Sequence, residues 1–128
     1  MNKYEVKTDK APAPVGPYSQ AIIAGDFVFC SGQIALDPAT GELVTGDIKQ
    51  ETVRVMENLK AVLGEAGCTM EHVVKTTIYL RNMNDFATVN AVYATYFGEI
   101  APARGTVEVA RLPKDVNVEV ECIALRSK

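Results

Sequence analysis

The sequence predicts one α+β domain, in which two amphipathic helices pack on one face of a mixed β-sheet. The chain has 128 residues, 48% of them hydrophobic, which suits a single core spanning residues 1–128. Its periodic segments follow the order β-β-α-β-α-β-β. Two helices cannot cover both faces of such a sheet, and the second face still carries Val, Phe and Thr side chains. We therefore expect that face to be buried against other subunits.

The first elements are an arm and a hairpin. Three prolines between Ala11 and Pro17 disfavour helix, so this arm is expected to lie extended on the domain. Residues 20–24 and 27–36 have the pattern of strands, and Gly25-Asp26 between them predicts a turn. At the start of the second strand, odd and even positions both carry apolar side chains, so both faces of this strand should be covered.

The clearest helix spans residues 47–66, where apolar side chains form one stripe at helical spacing. Asp47 is placed as an N-cap, with Gln50 three residues later as in a capping box. Gly67 is a plausible residue to end the helix. The opposite side is expected to be an ordinary solvated face, formed by Lys49, Glu51, Arg54, Glu57 and Lys60.

The second half of the chain repeats a strand and a helix and then adds two strands. In residues 72–81 the side chains alternate between two faces, which predicts a strand. Residues 85–97 are predicted to form a helix, which Gly98 and Pro102 terminate. Residues 105–110 and 117–125 are the final strands. The last one alternates two sets of side chains, Val118, Val120 and Cys122 against Glu119, Glu121 and Ile123.

Composition excludes several classes of protein. Thirteen Lys and Arg against sixteen Asp and Glu leave a net charge of −3, which argues against a nucleic-acid binder. No apolar run approaches the roughly 20 residues of a membrane span, and the first residues lack the apolar stretch of a secretory signal.

Three cysteines (Cys30, Cys68 and Cys122) and a single histidine, His72, favour neither a zinc site nor a disulfide framework. These features predict a reduced, cytoplasmic location. Cys30 and Cys122 should be inert core residues, whereas Cys68 follows a helix end and is the one expected to be exposed.

Three polar residues depart from the pattern around them, and each has two interpretations. Asn90 lies in the apolar arc of the second helix, either satisfying a nearby loop or lining a pocket. Arg104 is either a solvated charge or a guanidinium held in place to bind a planar carboxylate. Glu119 either faces solvent or is covered, and a covered carboxylate must be paired or have a raised pKa. Simple hairpin register does not bring Arg104 beside Glu119.

The pair Ser31-Gly32 interrupts an apolar strand, which predicts a bulge or the close approach of a ligand. Ser31 lacks a histidine and acid pair, so a Ser-His-Asp hydrolase is poorly supported. Tyr18 follows a rigid Gly-Pro step and is either a placed hydroxyl or a packing anchor. The glycines form no nucleotide-binding pattern, so we infer no nucleotide site.

Several segments together resemble the Rid (YjgF) family. The resemblance covers nearly the whole chain, in order and at family-like spacing. Its most specific stretch is Pro102–Pro113 (PARGTVEVARLP). The other segments are Ala13–Ala21 (APVGPYSQA), Ser31–Ile34 (SGQI), Val74–Leu80 (VKTTIYL), Asn84–Tyr93 (NDFATVNAVY) and Val118–Glu121 (VEVE).

The resemblance implies a chorismate-mutase-like α+β fold and a homotrimer with its sheets packed inside and pockets in the clefts between subunits. It also implies hydrolysis of reactive enamines and imines, such as 2-aminoacrylate and 2-iminobutanoate, to 2-oxo acids and ammonia. In that activity Arg104 binds the substrate carboxylate and Glu119 orients or activates water. No metal or cofactor is required. The matching substrate-binding positions are Tyr18, Ser31, Gly32, Asn90 and Thr106.

One position departs from the family pattern. Many members carry Arg-Ser-Cys where this chain has Arg104-Gly105-Thr106. Because water is the nucleophile in imine hydrolysis, we expect activity to survive without the thiol. Three other functions stay open: a non-catalytic sensor of 2-oxo acids or amino acids, an endoribonuclease or translation inhibitor, and a structural trimer with a vestigial pocket.

Overall fold

In the computed structural model, which describes residues 2–126, six strands form one mixed sheet in the order β1-β2-β3-β6-β4-β5. Neighbouring strands are antiparallel except β4 and β5, which are parallel because helix α2 crosses over between them. The elements are β1 Lys3–Val6, β2 Ala21–Ala24, β3 Phe27–Gln33, α1 Ile48–Glu65, β4 Val73–Leu80, α2 Phe86–Ala94, β5 Ala103–Glu108 and β6 Val118–Leu125. No helix within residues 2–126 is long and apolar enough to cross a membrane.

Three strands and one helix end differ from the prediction. Strand β5 begins and ends two residues before the predicted 105–110, and α2 ends at Ala94 rather than at residue 97. Strand β1 was not predicted, because its four residues are mostly polar and it is recognisable only by its pairing with β2. A short, charged strand of this kind is typical of a sheet edge. Strand β3 ends at Gln33 rather than at residue 36, since the register shifts between Cys30 and Gln33. That irregularity is the bulge predicted at Ser31-Gly32.

Both ends of α1 follow from local sequence. The Asp47 carboxylate accepts the N–H of Lys49 at 2.9 Å, one residue earlier than the capping-box pattern with Gln50 predicts. Gly67 has a φ of +82°, and the N–H of Cys68 donates to the Leu63 carbonyl at 2.8 Å. This is the Schellman arrangement, which favours glycine at the left-handed position.

The prediction of a solvated face on α1 was wrong for Glu51, which is 1% exposed. Its carboxylate accepts the backbone N–H groups of Asn117 at 2.8 Å and Val118 at 3.2 Å, and the Asn117 side-chain amide at 2.9 Å. Because three donors replace water, the buried carboxylate is tolerated and it anchors the start of β6 on α1. Cys68 was also placed wrongly at the surface, since it is buried like Cys30 and Cys122.

The core lies between the sheet and the helices. Alternate residues of β6 (Val118, Val120, Cys122 and Ala124) are buried there. The opposite, open face of the sheet exposes four large apolar side chains: Phe27, Phe29, Val107 and Leu125, each 43–45% accessible. The chain alone therefore leaves uncovered the apolar sheet face that the sequence predicted.

Candidate functional site

Four of the predicted site residues line one cavity of about 400 Å³, beside strand β3 and the N-terminal arm. They are Tyr18, Ser31, Gly32 and Glu119. The remaining lining is mainly apolar, contributed by the arm, by the chain after β3 and by the turn before β6. We call this space the Glu119 cavity. Its complete lining is Pro12, Ala13, Val15, Tyr18, Gln20, Ser31, Gly32, Gln33, Ile34, Leu36, Pro113, Lys114 and Glu119.

The arm is held against the domain by Gln20, a residue that the sequence analysis did not single out. Gln20 is 4% exposed. Its amide accepts the N–H of Thr8 at 2.8 Å and donates to the carbonyls of Thr8, Ala11 and Pro12 at 3.0, 3.3 and 2.9 Å. A buried amide normally finds partners for all its groups, so a glutamine just before an apolar strand was the available signal. Through these bonds one side chain shapes the arm that forms a wall of the cavity.

Tyr18, which directly follows the arm, is half-exposed, and its hydroxyl accepts the N–H of Val15 at 3.3 Å. On β3, the Ser31 hydroxyl donates to the Ser19 carbonyl at 2.6 Å, and the Ser31 N–H donates to the Gln20 carbonyl at 3.0 Å. Both residues are thus tied to the arm. Their positions at the cavity are set by backbone contacts rather than by a catalytic partner.

Gly32 has a steric reason to be glycine. A Cβ built at this position would overlap Glu119 Oε2 and lie 2.8 Å from Glu119 Cδ. The close approach predicted from a glycine within the strand is therefore made by the glutamate side chain. The missing side chain at Gly32 allows the Glu119 carboxylate to lie against the β3 backbone.

The Glu119 carboxyl has an environment suited to proton transfer. Burial raises its pKa, and the neighbouring Glu121 carboxylate raises it further. Glu121 itself accepts the Tyr79 hydroxyl at 3.2 Å. Among the described residues, no Lys or Arg forms an ion pair with Glu119. An unpaired carboxyl with a raised pKa in a cavity is a typical general acid or base.

A second cluster surrounds Arg104 on β5, the edge strand of the sheet. The guanidinium donates from Nη1 to Asn90 Oδ1 at 2.7 Å. Its Cζ lies 5.5 Å from the ring centroid of Phe86 and 5.1 Å from that of Tyr93. The Tyr93 hydroxyl in turn bonds Thr76 Oγ1 at 2.7 Å. We call Arg104, Asn90, Phe86 and Tyr93 the Arg104 cluster.

These contacts exclude one interpretation of Asn90, whereas carboxylate binding by Arg104 stays a prediction. Asn90 does not satisfy a loop backbone; it orients the arginine. Within residues 2–126 Arg104 has no carboxylate partner, although it is stacked against aromatic rings. A guanidinium that is held by stacking and one amide keeps donors available for a planar anion.

Thr106 lies two residues after Arg104 on β5. Its hydroxyl is buried and has no hydrogen-bond partner among the described residues. Buried hydroxyls are rarely left unpaired, so each such case calls for an explanation. A ligand, or a neighbouring chain, is the kind of partner that would satisfy it.

The two clusters are not joined within one chain. Glu119 projects from the open face of the sheet, opposite Tyr79. Arg104 is paired in register with Thr76, and Thr76 is paired with Cys122 on its other side; both of these side chains lie on the helix-covered face. The lining of the Glu119 cavity includes neither Arg104 nor Asn90 nor Thr106. The structure thus agrees with the expectation that strand register keeps Arg104 away from Glu119.

The comparisons with known proteins agree with the family resemblance seen in the sequence. A model of the family described as Endoribonuclease L-PSP matches residues 8–126. A RutC family protein of Pyrococcus abyssi is 59% identical over 126 residues, which cover 98% of this chain and 99% of that protein. The 2-iminobutanoate/2-iminopropanoate deaminase of Mus musculus is 47% identical over 121 residues, 94% of this chain and 90% of the enzyme.

The same agreement holds for the fold. The crystal structure of YyfA, a Rid family protein of Yersinia pestis, is similar with a TM-score of 0.94 at 49% identity, covering 96% of this chain and 98% of that one. The chorismate-mutase-like α+β fold expected from the resemblance is confirmed by such neighbours. Because these matches span almost the whole chain and include its predicted motifs, the chain belongs to the Rid (YjgF) family, whose family model carries the description endoribonuclease L-PSP.

Proposed function

We propose that this protein hydrolyses reactive 2-imino and 2-enamino acids, such as 2-iminobutanoate and 2-aminoacrylate, to 2-oxo acids and ammonia. The observation that carries the proposal is the presence of two complementary half-sites. One presents a carboxyl with a raised pKa in a cavity, and the other an arginine without a carboxylate partner in the described chain. The deaminase of Mus musculus, at 47% identity, supports the same activity.

A homotrimer would join the half-sites. The open sheet face exposes the large apolar side chains of Phe27, Phe29, Val107 and Leu125, and exposed apolar patches typically mark interaction surfaces. Packing the three open faces together would cover these side chains. We propose that the Glu119 cavity of one subunit then meets the Arg104 cluster of the next, so that each cleft contains one complete site.

In the proposed reaction, Arg104 binds the substrate carboxylate with two parallel hydrogen bonds and so orients the C=N bond. Water adds to the imine carbon while the C=N bond becomes single. Glu119 accepts a proton from the water, and the nitrogen gains a proton, forming a carbinolamine. The hydroxyl proton is then transferred, through Glu119, to the amino nitrogen; C=O forms as the C–N bond breaks, and the nitrogen leaves as ammonia. Every atom comes from the imine and one water molecule.

The other site residues have supporting roles in this proposal. Asn90 holds the guanidinium, and Tyr18 and Ser31 form the polar part of the cavity wall. Gly32 leaves space for the Glu119 carboxylate. The Thr106 hydroxyl would find its missing partner in the substrate carboxylate. A thiol at position 106 is not needed, because water is the nucleophile.

A coupled assay tests the proposal directly. Threonine dehydratase generates 2-iminobutanoate in the presence of semicarbazide, and semicarbazone formation is followed with and without this protein. The wild-type protein is expected to suppress trapping, and Arg104→Ala is expected not to. Full activity of Arg104→Ala would overturn the assignment. Binding of 2-oxobutanoate without turnover would instead favour a non-catalytic sensor.

The family description as an endoribonuclease supplies the second candidate function. A net charge of −3 counts against strong RNA affinity, since RNA binding relies on Lys and Arg at phosphates. Ribonuclease activity that co-purifies through several columns and persists in Arg104→Ala and Glu119→Ala would favour this alternative. Its loss during purification would exclude it.

A further inference from the structure

The turn before β6 places one cation at the Glu119 cavity. Lys114 is exposed and lines the cavity, so it lies at the rim. It is the only Lys or Arg among the lining residues that the structure describes. Within residues 2–126 its ammonium group makes no hydrogen bond and no ion pair. The imine-hydrolysis scheme above does not use it.

The backbone at this position is unusual. Lys114 has φ 55° and ψ 23°, and Asp115 has φ 57°. These are the two residues other than glycine with positive φ in the described part of the chain. Two successive left-handed residues normally favour Gly, Asn or Asp, so a lysine here stores strain. Strain of this kind persists where surrounding contacts impose it, and it concentrates at functional sites.

The contacts that impose the conformation are made through Asp115. Its carboxylate accepts two bonds from Arg111, from Nε at 2.8 Å and from Nη2 at 3.3 Å. Its carbonyl accepts Arg81 Nη1 at 3.2 Å. Asp115 thereby engages both nearby arginines, and Lys114 is the cation left for a ligand. The strained turn thus holds a lysine without a charged partner at the rim of the cavity.

We propose that Lys114 is a specificity-determining residue, which binds a second acidic group at the far end of the substrate. The inference rests on the proposed imine hydrolysis. In that reaction Arg104 binds the carboxylate next to the imine, because a planar guanidinium matches a carboxylate better than an ammonium group does. A cavity of about 400 Å³ lies in the range that holds ligands much larger than a four-carbon imino acid. The substrate class is thus extended to 2-imino dicarboxylates.

The test compares two substrates in the same trapping assay. Threonine dehydratase supplies 2-iminobutanoate, and an L-glutamate oxidase with catalase supplies 2-iminoglutarate. The measured quantity is the ratio of kcat/KM for the dicarboxylate to that for the monocarboxylate. Lys114→Asn should lower this ratio about fivefold, the size of one exposed ion pair, whereas Lys114→Arg should keep it. Lys60→Gln, an equal charge change on α1 away from the cavity, should also keep it.

Folding is controlled in the same experiment. Asparagine tolerates the left-handed region, so Lys114→Asn should have a melting temperature equal to or above that of the wild type. Inhibition by 2-oxoglutarate relative to 2-oxobutanoate should show the same ratio, independently of turnover. An unchanged ratio in Lys114→Asn, or equal losses on both substrates, would overturn the role of Lys114. Failure of the wild type on 2-iminobutanoate would instead overturn the proposed function itself.

Discussion

The Glu119 cavity and the Arg104 cluster are built in opposite ways. The cavity is shaped by backbone: a bulged strand, and an arm held by the Gln20 amide, enclose a carboxyl whose pKa is raised by burial. The Arg104 cluster is shaped by side chains: an amide and two aromatic rings of α2 orient a guanidinium on an exposed edge strand. The first encloses space and the second presents charge. Each therefore lacks what the other provides: the described lining of the cavity includes no arginine to bind a carboxylate in a planar fork, and the cluster includes no carboxyl for proton transfer.

The largest effect is expected at the carboxyl. Glu119→Gln should lower the turnover of 2-iminobutanoate by about 10²–10⁴-fold, because the proton acceptor is lost while the shape of the cavity is kept. Glu121→Gln is the matched control on the same strand face and should cost much less. A Glu119→Gln protein with near wild-type kcat in the trapping assay would contradict the assignment.

The same substitution should stabilise the fold at neutral pH. The folded-state pKa of Glu119 is raised, so its folding contribution is favourable below the usual carboxyl range and is lost as pH rises through the folded pKa. At neutral pH the burial of this carboxyl therefore opposes folding. Glu119→Gln should melt at a higher temperature than the wild type at pH 7, and the gap should close in acid. A gap that widens as the pH falls would show that the sign is wrong.

Complementation between subunits tests whether the Glu119 cavity and the Arg104 cluster meet across a subunit boundary. If each cleft takes Glu119 from one subunit and Arg104 from the next, trimers mixed from Arg104→Ala and Glu119→Gln chains contain some intact sites. Random mixing at equal amounts should restore about one quarter of the wild-type sites. Each variant alone, refolded in the same way, should stay inactive. No recovery from verified mixed trimers would place both residues in one subunit's site.

A charge on the open sheet face should separate the half-sites. Phe29→Asp places a carboxylate among Phe27, Leu125 and Ile123, and we expect a folded monomer with at least tenfold less turnover. Val53→Asp, on the outside of α1, is the control of similar exposure and should stay assembled. Light scattering gives the mass of each. A Phe29→Asp protein that is monomeric and fully active would contradict the shared cleft.

The smallest effect is expected at the residue that orients the arginine. Asn90→Ala removes one hydrogen bond to Arg104, worth about 1 kcal/mol, so KM should rise about fivefold with little change in kcat. Thr88→Ala on the same helix is the control. A loss confined to kcat would mean that Asn90 acts on the reaction step rather than on carboxylate binding.

Local patterns were enough to predict much of the fold. The apolar stripe, Asp47 and Gly67 located α1 to within a residue at its start and end. Alternation placed β6, and a glycine in an apolar strand located the bulge on β3. These features succeed because capping, periodicity and glycine conformation act between residues close in sequence. Strand β1 was missed since four mostly polar residues carry no such pattern.

The site was only partly predictable. Arg104 and Glu119 were identified from their positions and from the family resemblance, but the bond from Arg104 to Asn90 spans 14 residues and was not foreseen. Glu51 was assigned to solvent because its partner Asn117 lies 66 residues away. Gln20 was overlooked for the same reason, since the arm it holds is defined only by folding.

Sequence patterns alone were enough to predict the family, the order of the elements after β1, the apolar character of the open sheet face and the candidate residues for carboxylate binding and proton transfer. Which of these residues lie together depends on the folded chain. Strand register places Glu119 and Arg104 on opposite faces, and the arm encloses one but not the other. The reason is physical: pattern and propensity act over a few residues, whereas a site is formed by pairings between strands and helices far apart in the chain.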